Sequence, residues 1–389
     1  MKWAWVLGAA LLLAPAALGS QALGLLSQMG IAVILCLSFW LLMGQGGMVS
    51  FGHALYSGMG AFVAIYGMRA LESGAAWPMA LVPLCAALAV ALLAWPLGWL
   101  ATRHDSAMVF AMITLGLGEL AWAIAQMLPG VFGGEAGIAA DRTAGSARGG
   151  LNWGPAWQLY LLVLAYTAAT LALVYGFTRT ALGRLLNAVR DNPLRVSFMG
   201  HDPRRIRHVS FVVAAFFAGL AGALAALFNE IVSTEVLSSH RSAMVLVFTL
   251  IGGLGSMAGG VIGGVLMVLA TVLLSSWTPA WLLYMGLAFV LVLLLMPGGI
   301  AGGWMPMVRA GLARPLGALA LALGGVAAAA LLEMAYQLRL ASTLGPQVDF
   351  LGLRLDAHAI GHWSAALALF ALGIALGWLS RRRPARTAP

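Results

Sequence analysis

The sequence predicts an all-α protein, a polytopic bundle of helices that crosses a membrane about ten times. Hydrophobic residues make up 62% of the 389 residues and charged residues only 8%, whereas about 25% of the residues in soluble domains are charged. The apolar stretches are long and continuous rather than alternating. This pattern favours membrane-spanning helices over a β-barrel of short alternating strands.

One arginine-rich segment, residues 179–208, sets the predicted orientation of all the spans. It carries seven arginines between two long apolar runs, and short loops rich in Lys and Arg remain in the cytoplasm. We therefore predict a multi-pass membrane protein with this arginine loop and both termini in the cytoplasm. The net charge of +9, with Lys2 as the single lysine, then reflects topology and contact with anionic membrane lipid rather than nucleic-acid binding.

Within the arginine loop, the spacing predicts two short helices. Leucine and valine recur on one face of 182–190, as expected for an amphipathic helix. Asn192-Pro193 is a typical helix start and Gly200 a typical residue after a helix end, so a second helix is expected over 193–199. Such a helix suits the docking of a soluble partner protein, and the loop equally suits contact with lipid headgroups. The apolar side chains expected to be exposed on it are Leu194, Val196, Phe198 and Met199.

Short polar segments divide the remaining chain into apolar stretches. The run that ends at Leu18 is either an uncleaved first span, which we favour, or a signal peptide. The further predicted spans are 23–43, 54–69, 78–101, 107–128, 157–178, 206–229, 281–296, 315–336 and 362–379. The stretch 243–275 is too short for two full spans and is interrupted by glycines, so we predict a glycine-rich hairpin of short helices there. The polar segments 129–155 and 337–361 are expected on the outer side.

Two glycine-interrupted stretches, 44–60 and 252–264, lie in the two halves of the chain. Interrupted helices at corresponding positions are typical of a transport path near the middle of the membrane. Glycine also permits tight helix packing that needs no path at all. The predicted path residues are Ser50, His53, Thr114, Glu119, Gly252, Gly253 and Gly255.

Two of these residues also have a structural interpretation. Glu119 is the one carboxylate near the middle of a span, where a charge is costly in hydrocarbon. It therefore either lines the path or, protonated or hydrogen-bonded, fastens two helices. His53 either meets a ligand or serves as a structural hydrogen-bond donor.

The sequence lacks the motifs of several enzyme classes. It contains no HExxH and no GxSxG, and a P-loop needs a lysine after its second glycine, whereas no lysine follows position 2. Cys36 and Cys85 lie in apolar runs without metal-ligand spacing. We therefore expect no enzymatic activity, no metal site and no cofactor in this chain. If ATP drives this protein, another chain hydrolyses it.

Five stretches carry a family resemblance. They are GQGGMVSFGHALYSGMGAF, MVFAMITLGLGELAW, FGGEAGI, ALGRLLNAVRDNPLRVSFMGHDPRRIRHVSFVVAAFFAGLAGAL and IGGLGSMAGGVIGGVLM. In this order they resemble segments of the permease subunits of branched-chain amino acid ABC importers, the LivM-type family. The resemblance extends from about residue 20 to residue 303 and implies a type II-like ABC importer permease over 1–303. Residues 304–389 have no counterpart in it and form a C-terminal extension with two extra predicted spans.

The resemblance also implies partners and a docking site. Such a permease pairs with a second homologous permease and two ATP-binding subunits, which hold ATP and Mg²⁺. It receives substrate from a periplasmic binding protein at the bacterial inner membrane. Asn192-Pro193-Leu194 departs from the family's acidic, polar run, so the local docking geometry is expected to differ. The ATPase-docking residues expected in the arginine loop are Gly183, Arg190, Asp191, Arg195, Phe198 and Gly200.

Two other functions are compatible with the same pattern. Importers of urea and short-chain amides use similar permeases, so the resemblance implies the substrate class only weakly. An ion-coupled secondary transporter is less favoured, because such carriers commonly contain several intramembrane charges and Glu119 stands nearly alone.

Overall fold

A computed structural model describes most of the chain, in two compact units. The described residues are 19–74, 77–104, 106–143, 153–296, 298–302, 325–338, 347–350, 353–356 and 359–382. The predicted first span lies outside them, as does the first part of the predicted span 315–336. The larger unit comprises Met1–Ala270 and Leu291–Gly302, and the smaller unit comprises Thr271–Val290 and Gly303–Pro389.

Helices form most of the described structure. The first six are α1 (Ser20–Trp40, extended by a π-helical turn Leu41–Gln45), α2 (His53–Glu72), α3 (Val82–Ala101, preceded by a 3-10 turn Met79–Leu81), α4 (Ala107–Met127), α5 (Pro129–Phe132) and α6 (Ala156–Arg179). The arginine loop contains α7 (Ala181–Asp191), α8 (Pro193–Phe198) and the start of α9 (Pro203–Asn229). Then follow α10 (Ser239–Gly252), α11 (Met257–Val268, extended by a π-helical turn Leu269–Leu274), α12 (Ser275–Trp277), α13 (Trp281–Leu295), α14 (Gly325–Leu338) and α15 (Ile360–Arg382).

Six helical segments are long and apolar enough to cross a membrane, which confirms the polytopic helical bundle. They are Ser20–Gln45, Met79–Ala101, Ala107–Met127, Ala156–Arg179, Pro203–Asn229 and Met257–Trp277. The ends of the first five agree with the predicted spans within a few residues. Shorter apolar stretches of helix occur in α13, α14 and α15, and the total of about ten spans remains a prediction.

The core of the larger unit lies where α2 and α9 meet through glycines. Gly60 lies against the backbone of Gly219, and Gly222 lies against the carbonyl group of Ser57. A Cβ atom at Gly60 or Gly222 would overlap those backbone atoms. In a membrane, the apolar lipid removes the hydrophobic driving force for helix association, so helices associate largely through van der Waals packing. Small residues strengthen this packing because they let two backbones approach closely. At these positions the glycines therefore serve tight packing.

Helices α10 and α11 form the predicted hairpin, with a longer second arm than expected. The backbone approaches of Gly252 to Gly259 and of Phe248 to Gly263 show that the two helices run antiparallel. The segment Met257–Trp277 has 21 residues and is long enough to span a membrane. The first arm begins at Ser239, four residues before the predicted start at 243, and the second arm ends at Trp277, two residues after the predicted end at 275.

Two short strand pairs depart from the all-α prediction. In the larger unit β1 (Ile138–Ala139) pairs antiparallel with β2 (Ile231–Val232), and in the smaller unit β3 (Gln347–Phe350) pairs antiparallel with β4 (Leu353–Asp356). Polar and apolar residues alternate along β3 and β4, with the period of two that is typical of strands. This hairpin was not predicted, because the polarity of the segment 337–361 indicates a loop, whereas its alternation indicates strands.

The smaller unit contains a buried polar contact between α13 and α14. The Tyr284 hydroxyl lies 3.0 Å from a carboxylate oxygen of Glu333 and 3.2 Å from the carbonyl oxygen of Ala329. Glu333 is buried, so this hydrogen bond offsets part of the cost of removing its carboxyl group from water.

The role of the extension 304–389, and the functional division at residue 303, remain predictions.

Candidate functional site

Helix α2 begins inside the bundle rather than at its edge. The Nε2 atom of His53, its first residue, lies 2.7 Å from the hydroxyl of Ser38 in α1. Ser38 precedes Gln45, the last residue of that span, by seven residues, or about 10 Å along a helix. The glycine-rich segment 46–52 therefore returns into the bundle before α2 starts.

The predicted path residues Ser50, His53 and Thr114 come together at this helix start. The backbone N–H of Phe51 donates to the Thr114 hydroxyl at 3.3 Å, and Gly52 packs on the Thr114 carbonyl group with no room for a Cβ. All three predicted residues are fully buried. The Ser50 hydroxyl and the Nδ1 atom of His53 have no hydrogen-bond partner among the described residues. Two buried polar atoms therefore remain unpaired within the described part of the chain, and the role of these residues in a transport path remains a prediction.

A serine of α10, which the sequence reasoning missed, completes the start of α2. The Ser242 hydroxyl accepts a hydrogen bond from the backbone N–H of Ala54 at 2.9 Å. A capping side chain usually belongs to the residue directly before its helix, but this one lies 188 residues away in the sequence. The first turns of α2 and α10 are therefore in contact inside the bundle.

The other predicted path residues lie elsewhere. Gly252, Gly253 and Gly255 form the turn at the far end of α10, where the indole N–H of Trp40 donates to the turn backbone at 3.0 Å. Glu119 is partly exposed on α4 and has no hydrogen bond or ion pair within the described part of the chain. The interpretation that Glu119 fastens two helices of this chain therefore has no contact to support it. Its place in a transport path remains a prediction.

The arginine loop folds as its capping residues predict. The Thr180 hydroxyl accepts from the backbone N–H three residues on, at 3.2 Å, where α7 starts. The Asn192 side chain accepts a hydrogen bond from the backbone N–H of Arg195 at 3.0 Å, where α8 starts. The Asp202 carboxylate accepts one from the backbone N–H of Arg204 at 2.9 Å, where α9 starts. Gly200 has φ +84°, a conformation that costs glycine little. These local bonds fix the loop as two helices separated by sharp turns.

Helix α8 presents an apolar surface bordered by positive charge. Leu194, Phe198 and Met199 are 68%, 89% and 66% exposed, and Arg195 beside them is exposed as well. We call these four residues the α8 patch. The expectation that Val196 is exposed was wrong, since it is buried in the core. A helix of only six residues is held against the bundle by one face, and Val196 lies on that face.

Arg190, in contrast, turns back toward the bundle. Its guanidinium donates to the carbonyl of Gly44 and lies 3.5 Å from the carboxylate of Asp191. One turn earlier, the side-chain amide of Asn187 donates to the side-chain oxygen of Gln45 at 2.7 Å. These contacts fasten α7 to the π-helical end of α1.

The predicted docking residues therefore divide into two groups. Arg195 and Phe198 are exposed in the α8 patch, Gly200 follows its helix, and Asp191 is exposed at the end of α7. Gly183 is buried, and a Cβ there would overlap the carbonyl of Phe177. Gly183, like Arg190, positions α7 against the bundle, so these two residues hold the α8 patch rather than belong to it.

At the other end of α9, a polar network fixes the loop that follows β1. The Arg142 guanidinium forms an ion pair with Glu230 at 3.4 Å and donates to the carbonyl of Gly154 at 3.2 Å. Hydrogen bonds from the side chain and backbone of Thr143 lower the pKa of Asp141. The network holds the chain where it leaves α9 and turns back toward the bundle.

Comparison with known proteins identifies the family. The family described as "Branched-chain amino acid transport system / permease component" matches residues 21–297, and this range contains both the start of α2 and the arginine loop. The chain belongs to this permease family. The permease predicted from the resemblance is thereby confirmed.

Two kinds of characterised permease are similar to this permease. It is 29% identical over 302 residues to the high-affinity branched-chain amino acid transport system permease protein LivM of Escherichia coli K12, and 28% identical to LivM of Salmonella typhimurium. Each match covers 72% of this chain and 67% of the relative. It is 29% identical over 136 residues to LivH of Escherichia coli K12, covering 34% of this chain and 44% of the relative. No solved structure matches.

These relatives are permease components of one transport system, and permease components are not enzymes. The two names indicate a system with two different permeases.

In this permease, four residues of the site were not predicted from the sequence: Ser38, Gln45, Asn187 and Ser242. Each of them is a polar residue at the end of, or inside, an apolar run, which indicates that its side chain needs a hydrogen-bond partner. The sequence does not reveal which residue is that partner.

Proposed function

We propose that this permease forms the path for branched-chain amino acids through the bacterial inner membrane. The names of the LivM and LivH relatives supply the substrate class, and the family supplies the role. The permease pairs with a second permease and with two ATP-binding subunits, which bind ATP and Mg²⁺. It receives its solute from a periplasmic binding protein. The arginine loop and both termini face the cytoplasm.

The observation that supports this function best is a chain of contacts from an exposed patch to an interrupted helix. The α8 patch is joined to α7, which is bonded to the end of α1 through Asn187 and Arg190. The segment 46–52 connects that end to the start of α2 at His53. A subunit that displaces α8 can therefore move the buried polar residues at the start of α2.

The path itself passes the start of α2. Ser50, His53 and Thr114 meet there, and the first turns of α2 and α10 are bonded to each other through Ser242. Interrupted helices that begin inside the bundle are the usual lining of a binding site at the middle of the membrane. ATP binding and hydrolysis in the partners alternately open this region to the two sides.

Reversing the charge of the α8 patch is expected to detach the ATP-binding subunits. The Arg195 side chain forms no hydrogen bond or ion pair among the described residues, so Arg195→Glu leaves the fold intact. Removing a central interface residue lowers affinity by about tenfold or more. The measurement is the amount of ATP-binding subunit that co-purifies with the tagged permease.

Arg103→Glu is the matched control for this experiment. Arg103 is exposed, stacks over the ring of Trp99 at 4.5 Å and lies outside the arginine loop. This control should co-purify with the normal amount of ATP-binding subunit. Phe198→Asp tests the apolar part of the α8 patch in the same assay. If Arg195→Glu and Phe198→Asp both retain full co-purification, α8 is not the docking element.

Asn187→Ala is expected to weaken coupling without loss of docking. The change removes the hydrogen bond from α7 to Gln45 and leaves the exposed α8 patch unaltered. We expect the ratio of amino acid imported to ATP hydrolysed to fall severalfold in proteoliposomes. Gln45→Ala removes the same bond, so the double variant should be no worse than either single variant. Strictly additive losses would show that the two residues act separately.

A further inference from the structure

A small cavity lies between α1, α2, α9 and the chain that follows α9. Its volume is about 40 Å³, and its lining includes Asn229, the last residue of α9. Under the proposed orientation this end of α9 faces outward. Most of the described lining residues are apolar or small, and one of them, Arg241, has an ionised side chain. Apolar lining residues include Ile31, Leu35, Ala61, Ala225, Val232 and Val236.

Arg241 is a partly buried cation that borders this cavity and has no direct partner among the described residues. It is the third residue of α10, and the surrounding protein removes part of the hydration of its guanidinium. Glu235 attracts it electrostatically, but no carboxylate within the described ranges lies within 4.0 Å of it. No described atom accepts a hydrogen bond from its side chain. A partly desolvated charge is costly unless it is paired, so this guanidinium is suited to an anion that arrives from outside the chain.

The start of α10 adds positive potential at the same place. The N-terminus of a helix carries a partial positive charge and unpaired backbone N–H groups. The side chain of Ser238, which precedes α10, makes no capping bond to its first turn. Helix starts inside a bundle bind the anionic groups of substrates in other membrane transporters. Arg241 and the start of α10 therefore both favour the binding of a carboxylate at this place.

We propose that this Arg241 cavity is a substrate site, in which Arg241 and the start of α10 bind the carboxylate of an aliphatic amino acid. The apolar residues of α1, α9 and the following chain contact its side chain. This inference rests on the proposed function and deepens it by naming the recognised group. Urea and short amides carry no charge, so they would leave the guanidinium unpaired in the closed site. The site therefore selects carboxylates over those solutes.

The cavity must widen before an amino acid enters. At about 40 Å³ it admits only water-sized molecules. The wall of α2 and α9 is fixed by direct backbone contact at Gly222. The wall that follows α9 consists of β2 and a 3-10 turn, Thr234–Leu237, with fewer backbone hydrogen bonds than an α-helix. Movement of this second wall opens the site.

Leucine uptake by the complete transporter tests this site. The permease pair, the ATP-binding subunits and the binding protein are reconstituted in proteoliposomes and supplied with saturating leucine-loaded binding protein. Arg241→Gln is expected to lower the uptake rate at least about tenfold, since it removes a charge-assisted hydrogen bond. Arg241→Lys should retain more uptake than Arg241→Gln. Co-purification of the ATP-binding subunits should not change, and Arg103→Gln, with its exposed arginine, should import normally.

Chemical restoration of the charge separates binding from a structural role. Arg241→Cys is made in a background in which the two native cysteines, Cys36 and Cys85, are replaced by serine. Treatment with 2-aminoethyl methanethiosulfonate places a positive charge at position 241 and is expected to restore uptake severalfold. The anionic 2-sulfonatoethyl reagent should not restore it. Equal effects of the two reagents would overturn the proposed role.

The failure of this site and the failure of the proposed function give different results. If the wild-type transporter imports no leucine, the proposed function fails. If the wild type imports leucine and the folded Arg241→Gln variant imports it at the same rate, the site is refuted. Should Arg241→Gln not assemble, Ala225→Leu decides the question, because it fills the cavity and leaves the arginine in place. Normal leucine uptake by Ala225→Leu would overturn the proposal, and its loss would support it.

Discussion

Gly222→Ala is expected to lower the free energy of unfolding of the permease by about 3 kcal/mol or more, or to prevent folding. A Cβ atom at this position overlaps the carbonyl oxygen of Ser57. Neither backbone can yield, because α2 and α9 are also in contact where Gly60 meets Gly219. The measurements are the thermal unfolding midpoint of the purified permease in detergent and the folded fraction in size-exclusion chromatography.

Gly176→Ala provides the control for this experiment. Gly176 lies inside α6, and a Cβ there meets no atom within 4 Å. Alanine in the middle of a helix is about 0.5–1 kcal/mol more favourable than glycine, so this variant should be as stable as the wild type or slightly more stable. If the two variants unfold at the same temperature, the contact between α2 and α9 is not as close as the structure shows.

Gly253→Ala is expected to open the hairpin between α10 and α11. Gly253 has φ +112°, a backbone conformation that costs other residues about 1–3 kcal/mol. In addition, its Cβ atom would lie 2.5 Å from the carbonyl oxygen of Gly298. The two effects should lower the unfolding midpoint markedly and expose the Trp40 indole, which is bonded to this turn, to quenchers of fluorescence.

Gly255→Ala, two residues further on, tests whether the effect of Gly253→Ala comes from backbone strain at Gly253 or from a general sensitivity of the turn to substitution. A Cβ atom at Gly255 meets no atom within 4 Å, and its φ is not positive. This variant should unfold close to the wild-type temperature. If Gly255→Ala were as unstable as Gly253→Ala, the cause would be the loss of glycine flexibility rather than the conformation of Gly253.

The sequence by itself determined the class of the protein, the positions of most helices and the form of the arginine loop. Composition alone indicated a helical membrane protein, because so few charged residues cannot cover a soluble surface. The turns at Asn192-Pro193 and Gly200 were predicted correctly, since capping depends on residues within about four positions of each other. The orientation of the loop toward the cytoplasm and the residues of the transport path remain predictions.

Only the tertiary structure decided how these helices meet. It buried Val196, turned Arg190 toward Gly44 and placed the start of α2 beside Ser38 and Ser242. Helices that are apolar on every side carry no periodic contrast to indicate which face meets a neighbour. The contacts that select the neighbour are backbone approaches at glycines and single hydrogen bonds between residues far apart in the chain. Such contacts exist only once the helices have packed, so no local pattern in the sequence contains them.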